Sequence, residues 1–524
     1  MKSFLYRKQI GYISLIISVL SVYVFRNVLG DTGLGYFAPV YLVVVMIWEL
    51  FGDGSSDVIS RLVRVKLSKG QKNSALNILS TSGFLLFIYA VVGAVLTGVL
   101  NFYLMDRAFG LSKGRFLGFY LCIFIFFRII NEYLTGYDLA ASGDKAVCIA
   151  IVLRQLLRIL SGYPFMMIMY EKGEKISALL MDEEYKYIYS VSGVFLGFCL
   201  AEFFVFVFLF IVRLGMKLRA SKGYESYSSG DSPSYVFVSL WKRRLGNIVV
   251  GLSFTGFLFS WLFSAEGAVS VGEAFGIMMV PFLISAAVTL YETSASSIHW
   301  LGAVRKKEKG NSRAYFDCGI HIAIIASVFI ASFYSGASKS IMKVMLPDAA
   351  TNLTAELVLS VVASVMYSLT LFSDNICAAR DDKIPRIVSG FVSALMGILS
   401  VRLCIGTGMN IYRSLSVSLI VFSLVGTVVW YVITFFRMNM VYDPLRNILI
   451  PVISGAVNAI VVLIITNFAS AHLGNLFTVL ICIPISLIVY NSILLLLRNY
   501  TDTEIGLMPF GNMLISLGQI LRVM

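Results

Sequence analysis

The sequence predicts an all-α membrane protein of about 14 transmembrane helices, two pseudo-symmetric six-helix lobes plus two C-terminal helices. Three observations predict it: an apolar composition, a series of membrane-length apolar runs, and an alternation of basic and poorly basic loops between them. Of 524 residues, 58% are hydrophobic and only 14% charged, and the mean hydropathy is +0.85. A soluble domain carries about a quarter of its residues as charges. This chain has too little polar surface to cover a water-facing globule, and lipid is its natural solvent.

Crossing the hydrocarbon takes about 20 apolar residues. Runs of that kind fall near 10–28, 35–52, 76–101, 116–137, 146–169, 189–213, 245–264, 274–292, 317–336, 354–372, 385–407, 413–436, 447–467 and 474–497. The first follows Lys2, Arg7 and Lys8 as a signal peptide would. It is long, carries Arg26 and lacks a small-x-small cleavage site, so it reads as a retained span. With the N-terminus inside, 28 basic residues fall in inner segments and nine in outer ones. This positive-inside pattern predicts a multi-pass protein of the cytoplasmic membrane with both termini cytoplasmic. It also accounts for the net charge of +13 without nucleic acid, which would need basic residues gathered on a soluble face.

The most polar break, with Ser226-Tyr227-Ser228-Ser229-Gly230-Asp231-Ser232-Pro233, reads as a flexible linker. The expected organisation is therefore an N-terminal lobe at 1–219, a linker at 220–235, a C-terminal lobe at 236–437, and spans 13–14 with a tail at 438–524. A repeat supports two lobes. Ser55-Ser56-Asp57-Val58-Ile59 to Lys69-Gly70 aligns at an offset of 240 with Ala295-Ser296-Ser297-Ile298-His299 to Lys309-Gly310. Six spans separate the copies, an even number, so the repeat is parallel rather than inverted. In the tail, Phe510, Met513, Leu514, Leu517, Ile520 and Leu521 fall at helical spacing, as in an interfacial amphipathic helix or a packed one.

Five arginines lie within spans: Arg26, Arg128, Arg154, Arg158 and Arg402. Each costs on the order of 3 kcal/mol at the bilayer centre, so each needs a partner or a wet cavity. Arg128 and Glu132 are four apart and able to pair on one helix face, as a structural or gating ion pair. Arg154 and Arg158 are likewise four apart and form a two-arginine stripe. Glu49, Asp53 and Asp57 form an acidic stripe if the helix survives Gly52 and Gly54, and Glu202 sits mid-span. These charges read either as a neutralising salt-bridge network or as a cationic wall for an anionic group, since guanidinium forks match phosphate oxygens. A cavity for a cationic drug would present carboxylates and aromatics instead, with Glu202, Glu132, Glu49 and Asp53 as the candidate coupling groups.

Enzymatic readings find no support. There is no nucleophile elbow, P-loop or metal-ligand spacing. Seven cysteines are scattered without a CxxC, and three histidines form no paired pattern. The expectation is a non-enzyme with no metal site and no cofactor; a coupling ion, Na+ or H+, stays open, as does the oligomeric state.

The stretch Arg26-Asn27-Val28-Leu29-Gly30-Asp31-Thr32-Gly33-Leu34-Gly35-Tyr36-Phe37 resembles the span 1–2 junction of polysaccharide-export proteins in the multidrug/oligosaccharidyl-lipid/polysaccharide (MOP) superfamily. Gly54-Ser55-Ser56-Asp57-Val58-Ile59-Ser60-Arg61-Leu62-Val63, followed by Lys69-Gly70, is similar to that family's end of span 2, nearest the branch of stage V sporulation protein B and the MurJ-type lipid II flippases. The resemblance implies alternating access by two lobes around a central cavity, and a lipid-linked saccharide whose pyrophosphate is held by cavity arginines. Arg26 matches the family's span 1 arginine, and with Arg154 and Arg158 forms the expected anion-contact set. The basic pair near the inner end of span 2 is replaced by Trp48-Glu49-Leu50-Phe51, which points away from lipid II toward another lipid-linked oligosaccharide. The alternatives are a cation-coupled multidrug (MATE-type) exporter and a non-transporting scaffold of envelope assembly.

Overall fold

The computed structural model describes residues 2–215, 232–265, 267–306, 309–345, 353–380, 382–438, 445–508 and 511–521. Most of the expected linker and Phe510 of the tail lie outside them. Every regular element among the described residues is helical. In chain order these are α1 (Lys2–Phe51), α2 (Ser55–Ser68), α3 (Lys72–Arg107), α4 (Leu117–Ala140), α5 (Asp144–Leu180), α6 (Glu184–Gly215), α7 (Pro233–Leu262) and α8 (Ala268–Ala274). There follow α9 (Val280–Glu292), α10 (Ser294–Arg305), α11 (Lys309–Met345), α12 (Thr354–Arg380), α13 (Lys383–Gly406), α14 (Ile411–Met438), α15 (Ile450–Leu473), α16 (Asn475–Leu496), α17 (Asp502–Leu507) and α18 (Gly511–Ile520).

Twelve helices among the described residues are long and apolar enough to cross a membrane. The difference from about 14 arises at two places. The first two expected spans run together as α1, interrupted only at Gly30, whose φ of 58° and ψ of −173° no helix contains. Gly30 tolerates that left-handed φ because it has no Cβ. At 1.5 Å per residue, the part of α1 beyond it still rises roughly 30 Å, enough to span. The expected span at 274–292 falls in an unbroken helical run over 268–292, in which a π-turn at Phe275–Met279 separates α8 from the 13 residues of α9, and neither α-helical piece alone has the length to span.

The repeat seen in a few residues extends through the element order. Helices α2, α3, α4 and α5 begin at residues 55, 72, 117 and 144; α10, α11, α12 and α13 begin at 294, 309, 354 and 383. A short helix followed by a very long one opens each series, α3 with 36 residues and α11 with 37.

The chain divides into two compact units, Lys2–Phe275 and Gly276–Met524. In the first, α5 and α6 pair most extensively, α1 and α4 pack against both and against α3, and α7 lies on α1, α2 and α3. The α5–α6 turn is held by Lys113, whose Nζ lies 2.5 Å from Asp182 and 2.9 Å from Glu184. The hydrogen bond to Asp182 raises the pKa of the ammonium and lowers that of the carboxyl.

In the second unit α11 is the centre, with α12, α15 and α16 against it. The tail packs there too. Leu514 is buried in a core with Ile324, Ile325, Val328, Tyr490 and Ile505, and Leu517 and Leu521 lean on it; Met513 and Ile520 face outward. The apolar tail stripe is thus split between the protein and its surroundings. A polar cluster fixes this docking. Asn499 Nδ2 donates to His321 Nε2 at 3.0 Å, His321 Nδ1 lies 2.8 Å from Glu504 Oε1, and Arg446 Nη2 donates to both carboxylate oxygens of Glu504 at 2.9 and 2.8 Å. Glu504 also closes a capping box with Thr501 at the start of α17.

Burial alone would raise the pKa of Glu504, but the hydrogen bond and charge of His321, the Thr501 amide and Arg446 outweigh it and lower the pKa below the ordinary 4.5. A carboxyl depressed on folding contributes stability that is present above its unfolded pKa and lost as pH falls through the folded one. The thermal midpoint of the wild type is therefore expected to fall on acidification below about pH 4.5. Glu504→Gln should start lower at pH 7 and show a smaller acid-dependent drop, as read by thermal unfolding across a pH series.

Candidate functional site

The first unit contains a cavity of about 610 Å³. Its walls follow helical periodicity: Tyr41, Val44, Val45 and Trp48 from α1, Phe124, Arg128, Glu132 and Thr135 from α4, and Val147, Ile151, Arg154, Gln155 and Arg158 from α5. Side chains three and four apart share a helix face, so each helix presents one stripe. Asp53, Gly54, Ser56 and Asp57 also line it, with Asn247 of α7.

Behind the wall sits Glu202 of α6, with no solvent exposure. Arg154 Nε lies 3.0 Å from its Oε1 and 3.1 Å from Oε2, Arg158 Nη2 donates to Oε1 at 2.8 Å, and Asn131 Nδ2 donates to Oε2 at 3.0 Å. The two arginines of the α5 stripe thus clamp one carboxylate of the neighbouring helix. Arg158 is also held between Phe124 and Phe198, its guanidinium carbon 5.2 Å from each ring centroid, a cation–π arrangement that strengthens when desolvated. Arg128 and Glu132 meet at 3.6 Å, and the Arg128 guanidinium lies 4.9 Å from the centre of a Trp48 ring. Three buried donors of the lining residues, Trp48 Nε1, Arg128 Nη1 and Arg158 Nε, have no hydrogen-bond partner among the described residues.

The other expected residues are placed differently. Arg26 donates from Nε and Nη2 to Asp31 Oδ1 at 3.1 and 2.7 Å, across the Gly30 break, and the cavity lining does not include it. The acidic stripe is broken, because α1 ends at Phe51 and α2 begins only at Ser55, after a turn with Gly54 at φ 71°. Asp53 and Asp57 line the cavity. Glu49 faces α7 instead, accepting from Thr255 Oγ1 at 3.2 Å. Three guanidinium groups and three carboxylates therefore line the cavity, with Glu202 as a seventh charge behind them.

Three contributors escape sequence reasoning. Asn131 is a polar residue in a span, a usable signal, but spacing does not say that it serves Glu202. Trp48 looks like an ordinary interfacial aromatic. Arg244 reads as one of three consecutive basic loop residues, yet it is 1% exposed.

Removing one partner of a buried charge cluster leaves the others uncompensated and costs about 3–5 kcal/mol. Glu202→Ala is accordingly expected to lower the thermal midpoint of the purified protein sharply. Glu202→Gln, which retains the shape and part of the hydrogen bonding, should lower it less.

No protein-family profile matches this sequence, and no curated protein matches it. Solved structures do. An inward-facing MATE family multidrug resistance transporter of the MOP superfamily aligns at 14% identity with a TM-score of 0.58, over 83% of this chain and 94% of that one. A eukaryotic MATE transporter aligns at 12% identity with a TM-score of 0.57, over 83% and 94%. A MOP superfamily transporter from Pyrococcus furiosus, described as having a binding pocket of reverse polarity, aligns at 15% identity with a TM-score of 0.56, over 83% and 96%. The fold of this chain is that of the MATE transporters of the MOP superfamily.

Proposed function

We propose that this chain is a membrane transporter of the alternating-access type, and that its cargo is a polyprenyl-pyrophosphate-linked oligosaccharide moved from the inner to the outer leaflet. In this reading both termini and α2 face the cytoplasm, and the first two six-helix series act as lobes. The carrying observation is the cavity wall that presents Arg128 on α4 and Arg154 and Arg158 on α5 to one space. A pyrophosphate offers several charged oxygens in the geometry a guanidinium fork matches. Glu202 then serves as the resting counter-ion that keeps two arginines oriented between cargoes. The cavity volume falls within the ordinary range for small-molecule sites, which suits a headgroup whose polyprenyl chain stays in lipid. Arg26, paired with Asp31, stands outside this contact set. The superfamily fold and the motif residues at 26–37 and 54–70 support the same reading.

A second reading is a cation-coupled exporter of cationic compounds. It is favoured by Asp53, Asp57 and Glu132 on the same cavity and by the MATE neighbours.

Native mass spectrometry separates the two. Removing the arginines alone would strand Glu202, so the informative variant is Arg154→Gln/Arg158→Gln/Glu202→Gln, which neutralises the cluster together. If the cargo is pyrophosphate-linked, the wild type binds lipid-linked oligosaccharide and the variant binds it at least about tenfold more weakly, as expected for losing charged hydrogen bonds. Binding of a cationic dye that depends on Asp53 or Glu132, with no lipid-linked sugar bound by either protein, would establish the exporter instead.

A further inference from the structure

Four of the five arginines within spans are answered by carboxylates of the first unit: Arg26 by Asp31, Arg128 by Glu132, and Arg154 and Arg158 by Glu202. The fifth, Arg402 of α13, is not. It is exposed, and no ion pair or hydrogen bond reaches its side chain among the described residues.

Its place on the helix explains why. Ile384, Val388, Phe391, Leu395 and Leu399 are all exposed, and their spacing of four, three, four and four keeps them on one helix face. Arg402 continues that stripe, three residues further on. Ser389, Ser393 and Ser400 of the opposite face are buried. Helix α13 has the length and apolarity to cross a membrane, so its exposed apolar stripe faces hydrocarbon. Ionisable residues within spans almost always face the bundle interior. Arg386, on the buried face of the same helix, follows that rule and donates from Nε and Nη2 to the two carboxylate oxygens of Asp374 at 2.6 and 2.9 Å. Arg402 breaks it.

Depth gives the exception a physical meaning. From Lys383 to Arg402 the helix rises about 28 Å, close to the ~30 Å of the hydrocarbon core. With Lys383 at one boundary, Arg402 reaches the other, where its stem can lie along apolar surface and its head rise to the phosphate level. Arg413, in the first turn of α14, is a second cation beside the same turn, 3.5 Å from Glu356. Two arginines mark this end of the hairpin, and only one has a carboxylate.

We propose that Arg402 holds an anionic phospholipid, its guanidinium bonded to the lipid phosphate and the acyl chains lying on the exposed stripe of α13. A guanidinium fork matches phosphate oxygens and supplies the counter-ion that the protein does not. The apolar stripe leading up to Arg402 offers contact that acyl chains can use and a free phosphate cannot. The site lies on the lipid-exposed surface of the second unit and depends neither on the cavity nor on its cargo.

The test uses full-length protein in phosphatidylcholine nanodiscs carrying a trace of photoactivatable phosphatidylglycerol or, separately, photoactivatable phosphatidylcholine, with the reactive group in an acyl chain. Adducts are mapped by peptide mass spectrometry on α13 and, as the reference, on the exposed residues of α16. In the wild type, phosphatidylglycerol should label α13 severalfold more than phosphatidylcholine does, relative to α16. Arg402→Gln should abolish that preference, and Arg402→Lys, which keeps the charge without the fork, should retain part of it. Equal labelling by the two lipids in the wild type would overturn the site, as would a preference that survives Arg402→Gln. The thermal midpoint of Arg402→Gln in detergent should match the wild type, because no protein contact is lost; a drop would place the partner of the guanidinium inside the protein and overturn the proposal too. Undecaprenyl pyrophosphate that suppresses α13 labelling where unlabelled phosphatidylglycerol does not would assign the site to a prenyl-linked lipid and overturn the phospholipid.

Discussion

A carboxylate with no solvent exposure at bilayer depth is the constraint around which the first unit is arranged. Glu202 can remain ionised there only if its lone pairs are filled and its charge offset. Arg154 and Arg158 supply the charge and Asn131 a further donor. Each arginine brought in for that purpose imposes its own demand. Arg158 is met by two phenylalanine faces, and Arg128 by Glu132 and the Trp48 indole. The helices α1, α4, α5 and α6 are thereby tied to each other by charge as well as by apolar packing. A cavity lined by oriented guanidinium groups follows from solving that buried-charge problem.

Helix ends provide the second organising feature. Within lipid, carbonyls released by a broken helix must find partners inside the protein. The interruption of α1 near Gly52 therefore creates a binding site for a cation, which Arg244 of α7 fills through the carbonyls of Asp53 and Leu50. In the second unit the same logic operates at the membrane edge, where Glu504 caps α17 and binds Arg446 and His321. One break is covered by a neighbouring helix and the other holds the chain's own tail, although both use a charged side chain to satisfy a helix terminus.

The mixed sign of the cavity explains why composition alone does not choose a cargo. Arginines in spans suggest an anion, and carboxylates in spans suggest a cation or a coupling ion. Here both line one space, and what distinguishes them is which are already satisfied. Arg154 Nε and Arg158 Nη2 are held by Glu202, and Arg128 meets Glu132. That information lies in atom-level geometry, below the resolution of any hydropathy or charge pattern.

The sequence by itself determined the solvent, the helical class and the repeat, because apolar run length, charge scarcity and a constant offset are one-dimensional properties. It also paired Arg128 with Glu132, since four residues on a helix is a fixed distance. It did not reveal that Arg154 and Arg158 share Glu202, that Glu49 turns to α7 while Asp53 faces the cavity, or that Arg26 pairs with Asp31. Those outcomes depend on which helix lies beside which, and on a turn at Gly52–Gly54 that rotates the acidic stripe out of register. Arg244 is the clearest instance. Its neighbours Lys242 and Arg243 are identical to it in hydropathy and charge class, and only the packing of α7 against the end of α1 buries one of the three.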